Sequence, residues 1–231
     1  MNKINIRQLL DYDTCTYTYL VWDANSKDGI IIDPVLEQTD RDLEYLSKLN
    51  IQLKYILETH VHADHVTGAS KLRDKTNAKV CYGSKTGVNG ADILLNDKDE
   101  IKLGSFTLTV LHTPGHTSGC VSYFIDGYIF TGDTLFIEGT GRTDFQEGCS
   151  STIYDSVRNK IFSYSNDTVV YPAHNYKGLT SSTVGYERQN NPNVGDHILK
   201  EDFIDKEKNM KRPYPKKFDI AVPANLLCGD K

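Results

Sequence analysis

No apolar run in this 231-residue chain approaches the roughly 18 residues that a helix needs to cross a bilayer, so membrane insertion is not expected. Positive charge is neither abundant nor concentrated. Lys and Arg total 26 against 31 Asp and Glu, the formal charge is −5, and the basic residues never gather into a long run. That excludes non-specific nucleic-acid binding by phosphate neutralisation. Cysteine is sparse: Cys15, Cys81, Cys120, Cys149 and Cys228 are odd in number, far apart and without a Cys-x-x-Cys pair. A disulfide framework is therefore not expected, a reducing cytoplasm fits best, and each thiol reads as a small buried apolar group. The N-terminal stretch carries Lys3 and Arg7 but has neither the apolar run of a signal peptide nor the Arg/Ser richness of a transit peptide, which again points to the cytoplasm. Internal repeats and low-complexity segments are missing as well.

What remains is ordinary globular composition, 39% hydrophobic and 25% charged. No linker divides the chain, which predicts one domain over residues 1–231 with a self-supporting core. The Lys/Pro-rich stretch 211–217 reads as a loop between a last helix and a tail. Residue patterns predict strands over 16–22, 29–33, 54–58 and 168–171. Hairpins are predicted around Gly104-Ser105 and, more strongly, around Asp126-Gly127. Apolar spacing of three and four predicts helices over 39–49, 153–161 and 196–210. The mixture implies a layered α/β architecture with both parallel and antiparallel pairing.

Chemistry concentrates in Thr59-His-Val-His-Ala-Asp-His65, directly after the predicted 54–58 strand. In an extended segment His60 and His62 share a face, and a turn into a helix from about residue 66 swings Asp64 and His65 toward the same cavity. Three imidazoles and a carboxylate within six residues point to a metal, because each buried imidazole otherwise needs its own hydrogen-bond partner. His116 follows a strand and a Pro-Gly turn, Asp133 ends a hairpin strand, and His174 lies just past the 168–171 strand. Strand ends are where a rigid scaffold presents site residues, so these three are expected at the same centre. Taken singly, His116 reads equally well as a turn cap and Asp133 as a strand-end Asx residue.

The ordered set Thr-His-x-His-x-Asp-His, His116, Asp133 and His174 resembles the metallo-β-lactamase superfamily. Within it, Thr59–Gly68, Gly141-Arg-Thr-Asp-Phe-Gln146, Tyr171-Pro-Ala-His-Asn-Tyr176 and the stretch 218–229 resemble the persulfide dioxygenases, also called sulfur dioxygenases. Cys15-Thr-Tyr-Thr-Tyr-Leu20 and Ile32-Asp-Pro-Val-Leu-Glu37 fit too. Related glyoxalase II hydrolases usually carry a bulky aromatic where this chain has Ala63, and they lack the Gly141–Gln146 segment. Asn175 departs from the dioxygenase pattern, which usually has Asp there.

The resemblance implies a four-layer αβ/βα sandwich, the metallo-β-lactamase-like α/β fold, with the metal cleft at one edge of two facing sheets. It implies one Fe(2+) per chain, held by His60, His116 and Asp133. Two His and one carboxylate form the facial triad of non-heme iron oxygenases, which leaves positions open for a persulfide sulfur and dioxygen. On that reading the substrates are glutathione persulfide and O2, and the products are sulfite and glutathione. His62, Asp64 and His65 then orient ligands and hydrogen-bond the bound water, while Arg142, Tyr176 and His174 face the substrate. Arg142 also reads as a structural salt bridge to Asp144 or Asp133, Tyr176 as a surface residue, and Cys149 as a buried structural thiol. A homodimer is implied by the family only, and the length leaves no room for an appended rhodanese domain. The alternative is a glutathione thioester hydrolase of glyoxalase II type. It would use His60, His62 and His116 at one metal and Asp64, His65 and His174 at a second, with Asp133 bridging; all seven residues are present. A non-catalytic metal module is the remaining alternative, and a closed coordination shell would mark it.

Overall fold

The structure is a computed structural model that describes residues 3–230. Its organisation follows from side-chain alternation. Every residue of β2 (Thr16–Asp23) is buried, because the strand feeds two cores. Tyr17, Tyr19 and Val21 enter an apolar layer between two sheets, while Leu20 and Trp22 enter a layer on the outer face. In β3 (Asp28–Ile32), Ile30 and Ile32 face inward and Ile31 outward.

β1 (Ile4–Asp11) precedes these strands, and β4 (Gln52–Leu57), β5 (Lys79–Gly83) and β6 (Ile93–Leu95) follow them in a sheet ordered β1 to β6. Its first three strands are antiparallel and its last four parallel. The second sheet comprises β7 (Glu100–Leu103), β8 (Phe106–His112), β9 (Val121–Ile125), β10 (Tyr128–Gly132), β11 (Val169–Pro172) and β12 (Ser182–Thr183). All its pairs are antiparallel except β10 with β11. Helices α1 (Thr39–Lys48) and α2 (Ala69–Thr76) cover the first sheet with Leu46, Ala69 and Leu72. Helices α3 (Ser150–Asn159), α4 (Val184–Asn190) and α5 (Lys200–Asn209) cover the second with Ile153, Val157, Val184 and Phe203. The layers are helix, sheet, sheet, helix, as the resemblance implies.

The expected strands, both hairpins and three helices are present. At the Asp126-Gly127 turn both residues take positive φ, 49° and 83°, which Asp and Gly tolerate. Several elements depart from expectation. β1, β5, β6, β12 and α4 are additional. α2 begins at Ala69 rather than near 66, because residues 58–68 stay outside helix and strand. The expected C-terminal tail is a helix, α6 (Phe218–Asn225), whose Val222, with Leu226 just beyond it, packs on the first outer core. Cys81, Cys120 and Cys228 are buried as expected, but Cys149 is exposed beside the start of α3. No helix among the described residues is long and apolar enough to cross a membrane.

Buried polar ties hold the two sheets in register. Tyr19 of the first sheet donates its hydroxyl to Pro172 O of the second at 2.6 Å, and Tyr123 of the second donates to Glu58 O at the end of β4 at 2.7 Å. Asp23, at the end of β2, accepts Ser105 N–H at 2.8 Å and the Ser105 hydroxyl at 2.7 Å from the β7–β8 turn. Those bonds pull its carboxyl down from 3.8 to about 2. A lowered carboxylate pKa contributes stability that is complete above the ordinary value and lost as pH falls through the folded one. Asp23→Ala is expected to cost about 1–3 kcal/mol in urea unfolding at pH 7. The gap from the parent should close as pH falls from about 4 to below 2; a gap independent of pH would show that the carboxylate charge is not what ties the turn.

Candidate metal centre

Four strand ends converge at one edge of the two sheets. β4 runs into Thr59 and His60, β8 into His116, β10 into Asp133, and β11 into Ala173 and His174. The sheets are stitched there by Tyr17 N–H to Ala173 O at 2.7 Å, Val121 N–H to Thr59 O at 2.8 Å, and an isolated bridge between Thr16 and His174. Such close approach requires glycine twice. Gly132 has φ +53°, and a Cβ there would lie 2.5 Å from Thr59 Oγ1. A Cβ at Gly141 would overlap Asp133 O and crowd His116 Nδ1.

Hydrogen bonding decides which nitrogen each imidazole turns to the centre. The Asp33 carboxylate accepts the Thr59 hydroxyl at 2.8 Å, which uses that hydroxyl's only hydrogen. Thr59 Oγ1 therefore accepts from His60 Nδ1–H at 2.9 Å, leaving the lone pair on Nε2. His116 Nδ1–H donates to Arg142 O at 2.7 Å, and His174 Nδ1–H to Cys15 O at 3.1 Å. A carbonyl only accepts, so these tautomers are set as well. His116 Nε2 lies 3.5 Å from Asp133 Oδ2, and His174 Nε2 lies 3.5 Å from Asp133 Oδ1. Burial drives the His60 pKa well below its ordinary value, which keeps the ring neutral and able to donate its lone pair.

The nine residues singled out from sequence do not form one undivided cluster. His60, His116 and Asp133 bring one donor atom each within 4.8 Å of one another, and His62, Asp64 and His65 form a second such group. The His60 and His62 rings lie side by side, 4.0 Å apart. His62 Nε2, however, faces Asp33 Oδ1 at 3.1 Å and Glu58 Oε2 at 3.4 Å. Burial works against the charged imidazole, but Asp33 and then Glu58 outweigh it and raise the His62 pKa well above its ordinary value. His65 Nδ1 lies 3.2 Å from Asp64 Oδ2, and His174 Nε2 lies 3.6 Å from the same oxygen. Asp133 Oδ1 and His65 Nε2 are buried without a hydrogen-bond partner. Fixed lone pairs directed at an unpartnered carboxylate oxygen are the donor arrangement of a cation site, so these residues fit a metal ion.

A cavity of about 420 Å³ opens onto this centre. His60, Asp64, His116, Asp133 and His174 line it, while His62 and His65 do not. Its walls include Ala63, Phe136, Arg142, Tyr176, Arg212 and Pro213. Tyr176 is 73% exposed at the mouth and stacks on His174 with ring centroids 6.0 Å apart. Arg142 is held on three sides. It forms paired bonds to Asp144 at 2.7 and 2.8 Å, donates to Pro213 O at 2.9 Å, and lies over the Phe145 ring. Its salt-bridge partner is thus Asp144, not Asp133.

The metallo-beta-lactamase superfamily profile matches residues 15–174, more than half of the chain. The chain belongs to this superfamily. It is 43% identical to the mitochondrial persulfide dioxygenase ETHE1 of Mus musculus over 226 residues, covering 97% of this chain and 88% of that protein. The crystal structure of ETHE1 from Myxococcus xanthus superposes with a TM-score of 0.95 at 42% identity, covering 98% of this chain and all of that one. A hydroxyacylglutathione hydrolase of Pelagibacter ubique is 36% identical over 182 residues, covering 77% of this chain and 74% of that protein. The superfamily fold and the narrower likeness to persulfide dioxygenases are both borne out.

Sequence reasoning missed the groups that support this metallo-β-lactamase centre: Asp33, Glu58, Thr59, Gln146 and Asn225. The readable signal for Asp33 was a carboxylate ending an apolar strand run, and for Asn225 a lone amide in an apolar stretch. Thr59→Val removes the hydroxyl that fixes the His60 tautomer yet keeps the main-chain bond to Asp33, at 2.7 Å. Metal affinity, measured by chelator competition, is expected to fall about 10- to 100-fold; unchanged affinity would show that this lock is dispensable.

Proposed function

We propose that this chain is a persulfide dioxygenase that converts glutathione persulfide and O2 to sulfite and glutathione, with one Fe(2+) per chain. The observation that carries the reading is similarity to persulfide dioxygenases across nearly the whole chain, at 42–43% identity. The hydrolase of Pelagibacter ubique matches a shorter share at lower identity. The donor set supports iron: His60, His116 and Asp133 supply two imidazoles and a carboxylate. Iron(II) held there supplies a redox-active ion, which a zinc pair does not. The reaction balances as one persulfide, one O2 and one water giving one thiol, one sulfite and two protons. The outer sulfur is oxidised by four electrons and O2 is reduced by the same four.

Around that ion the protein's own groups bind and orient. The Asp33–Thr59 pair holds the His60 ring, and the Arg142 carbonyl holds His116. We assign Asp64, His65 and His62 to orienting ligands and bound water, and His174, Tyr176 and Arg142 to the substrate. Ala63 leaves the cavity wall open where an aromatic side chain would fill it. Glutathione carries two carboxylates, and the segment beside the mouth suits them. Lys211, Lys216 and Lys217 adjoin the lining residues Arg212, Pro213 and Pro215, and no salt bridge to these lysines is found among the described residues. Sequence neighbours lie within one Debye length, about 8 Å at physiological salt, so their field reaches the entrance. The same proposal takes residues 1–231 as one catalytic unit, which the contribution of α6 to the site supports. It places the protein in the cytoplasm, supported by five free cysteines, and its homodimer rests on family resemblance alone.

Oxygen consumption with glutathione persulfide, run beside hydrolysis of a glutathione thioester, tests the reading. Oxygen uptake with one iron per chain is expected; thioester turnover without oxygen uptake, at two metals per chain, would overturn it in favour of the hydrolase. Arg142→Ala is expected to raise KM for the persulfide about tenfold, the size of one charge-assisted hydrogen bond. Iron content should hold, because the His116 bond is to the main-chain carbonyl of residue 142. An unchanged KM would remove the Arg142 side chain from the substrate site.

A further inference from the structure

Residues 58–68, which carry four of the seven donor side chains, lie outside helix and strand, yet most of the segment is buried: Thr59, His60, His62 and Thr67 are each 1% exposed and His65 is 0%. A buried irregular segment must find partners for its main-chain polar groups elsewhere. Here two amide side chains distant in sequence supply them. Asn225 is 0% exposed, and both of its N–H donors and its Oδ1 are directed at this loop. Its Nδ2 donates to His62 O at 2.9 Å and to His65 O at 2.8 Å, and its Oδ1 accepts Thr67 N–H at 2.8 Å. The two carbonyls bracket Ala63 and Asp64, so one amide sets the turn that presents Asp64. Gln146 Nε2 donates to Val61 O, the peptide between His60 and His62, at 2.8 Å. Gln146 and Glu147 both take positive φ, 47° and 60°, which non-glycine residues adopt only under constraint. Neither amide lines the cavity that opens on His60, His116 and Asp133.

We infer that Asn225 and Gln146 are positioning residues for the metal centre: acting through main-chain carbonyls, they hold the loop of residues 60–67 in the geometry that binds metal. The inference is independent of the reaction catalysed, since it concerns metal binding alone. Among the described residues the side-chain hydrogen bonds of both go to main-chain atoms, so each acts at one remove from the ion.

The test is cobalt(II) titration of the metal-free full chain, followed by its visible d–d spectrum, with far-UV circular dichroism as the fold control. Asn225→Leu is near in volume and removes all three bonds. Asn225→Asp keeps the acceptor for Thr67 N–H but turns oxygen toward the two carbonyls. Both are expected to weaken cobalt(II) about 10- to 100-fold and to change the d–d bands, with native dichroism. Gln146→Leu, on a partly exposed loop, should weaken it by about tenfold, and it decides the matter if the Asn225 variants do not fold. In iron-loaded enzyme, KM for the persulfide should stay within twofold of the parent while kcat falls. Parental cobalt(II) affinity and bands in the folded variants would overturn the inference, whatever reaction the parent catalyses. A parent that binds cobalt(II) but takes up no oxygen would count against the proposed reaction only.

Discussion

Asp33 carries a carboxylate that is 1% exposed at the point where β3 ends, and its two oxygens meet three donors on the ligand loop. Oδ1 accepts Thr59 N–H and lies 3.1 Å from His62 Nε2, while Oδ2 accepts the Thr59 hydroxyl. Asp33 itself takes φ +51°, a conformation Asp tolerates better than most residues, and its carbonyl accepts the Thr18 hydroxyl from β2. A buried carboxylate is costly unless every lone pair is used. Satisfying this one forces Thr59 into place, and Thr59 in turn dictates the tautomer of His60. The orientation of a candidate metal ligand is thus a consequence of desolvating one acid several bonds away.

The inter-sheet contacts serve the same end. Tyr19 and Tyr123 point in opposite directions across the apolar layer, and each donates to a carbonyl at the end of a facing strand. Burial raises both phenol pKa values well above the ordinary range, so both remain donors at any working pH. The carbonyls they hold, at Pro172 and Glu58, immediately precede the segments that bear His174 and His60. A displacement of one sheet against the other would break these bonds before it changed the apolar area buried. The two-sheet core therefore supplies cohesion without direction, and the polar bonds supply the registration that a metal site needs.

The candidate donor residues stood out because metal chemistry concentrates rare side-chain types at strand ends, and strand ends show in local pattern. β2, β3 and β4 were legible for the same local reason. What escaped was information held in pairs. Asp33 and Thr59 are 26 positions apart, Gln146 and Val61 are 85 apart, and Asn225 lies 160 from His65. No periodicity records such contacts. α6 was misread because Pro223 within it and the Pro/Lys-rich stretch before it argue against helix. Tertiary packing of Val222 and Leu226 on the outer core overrides that propensity. Cys149 was misplaced because it lies beside the first turn of α3, where its sulfur accepts hydrogen bonds from Thr152, and the exposed helix start keeps it in solvent.

Arg142 shows how the cavity wall and the candidate metal centre are joined. Its carbonyl accepts His116 Nδ1–H, while its guanidinium grips Asp144 and donates to Pro213 O. Pro213 belongs to the segment that continues through α6 to Asn225, and Asn225 holds His62 O and His65 O. Residues 213–225 therefore touch the centre at two places, once through Arg142 toward His116 and once directly on the loop of His60. Tyr214 meets Phe145, the ring beneath Arg142, edge-on and Phe218 packs against it at a tilt, which stiffens the strap between its two anchors. A change in the cavity wall that moved Pro213 would be transmitted to His116 by hydrogen bonds rather than absorbed by a loose loop. The cavity wall and the candidate metal centre are thus joined by hydrogen bonds through residues that look most like a C-terminal tail.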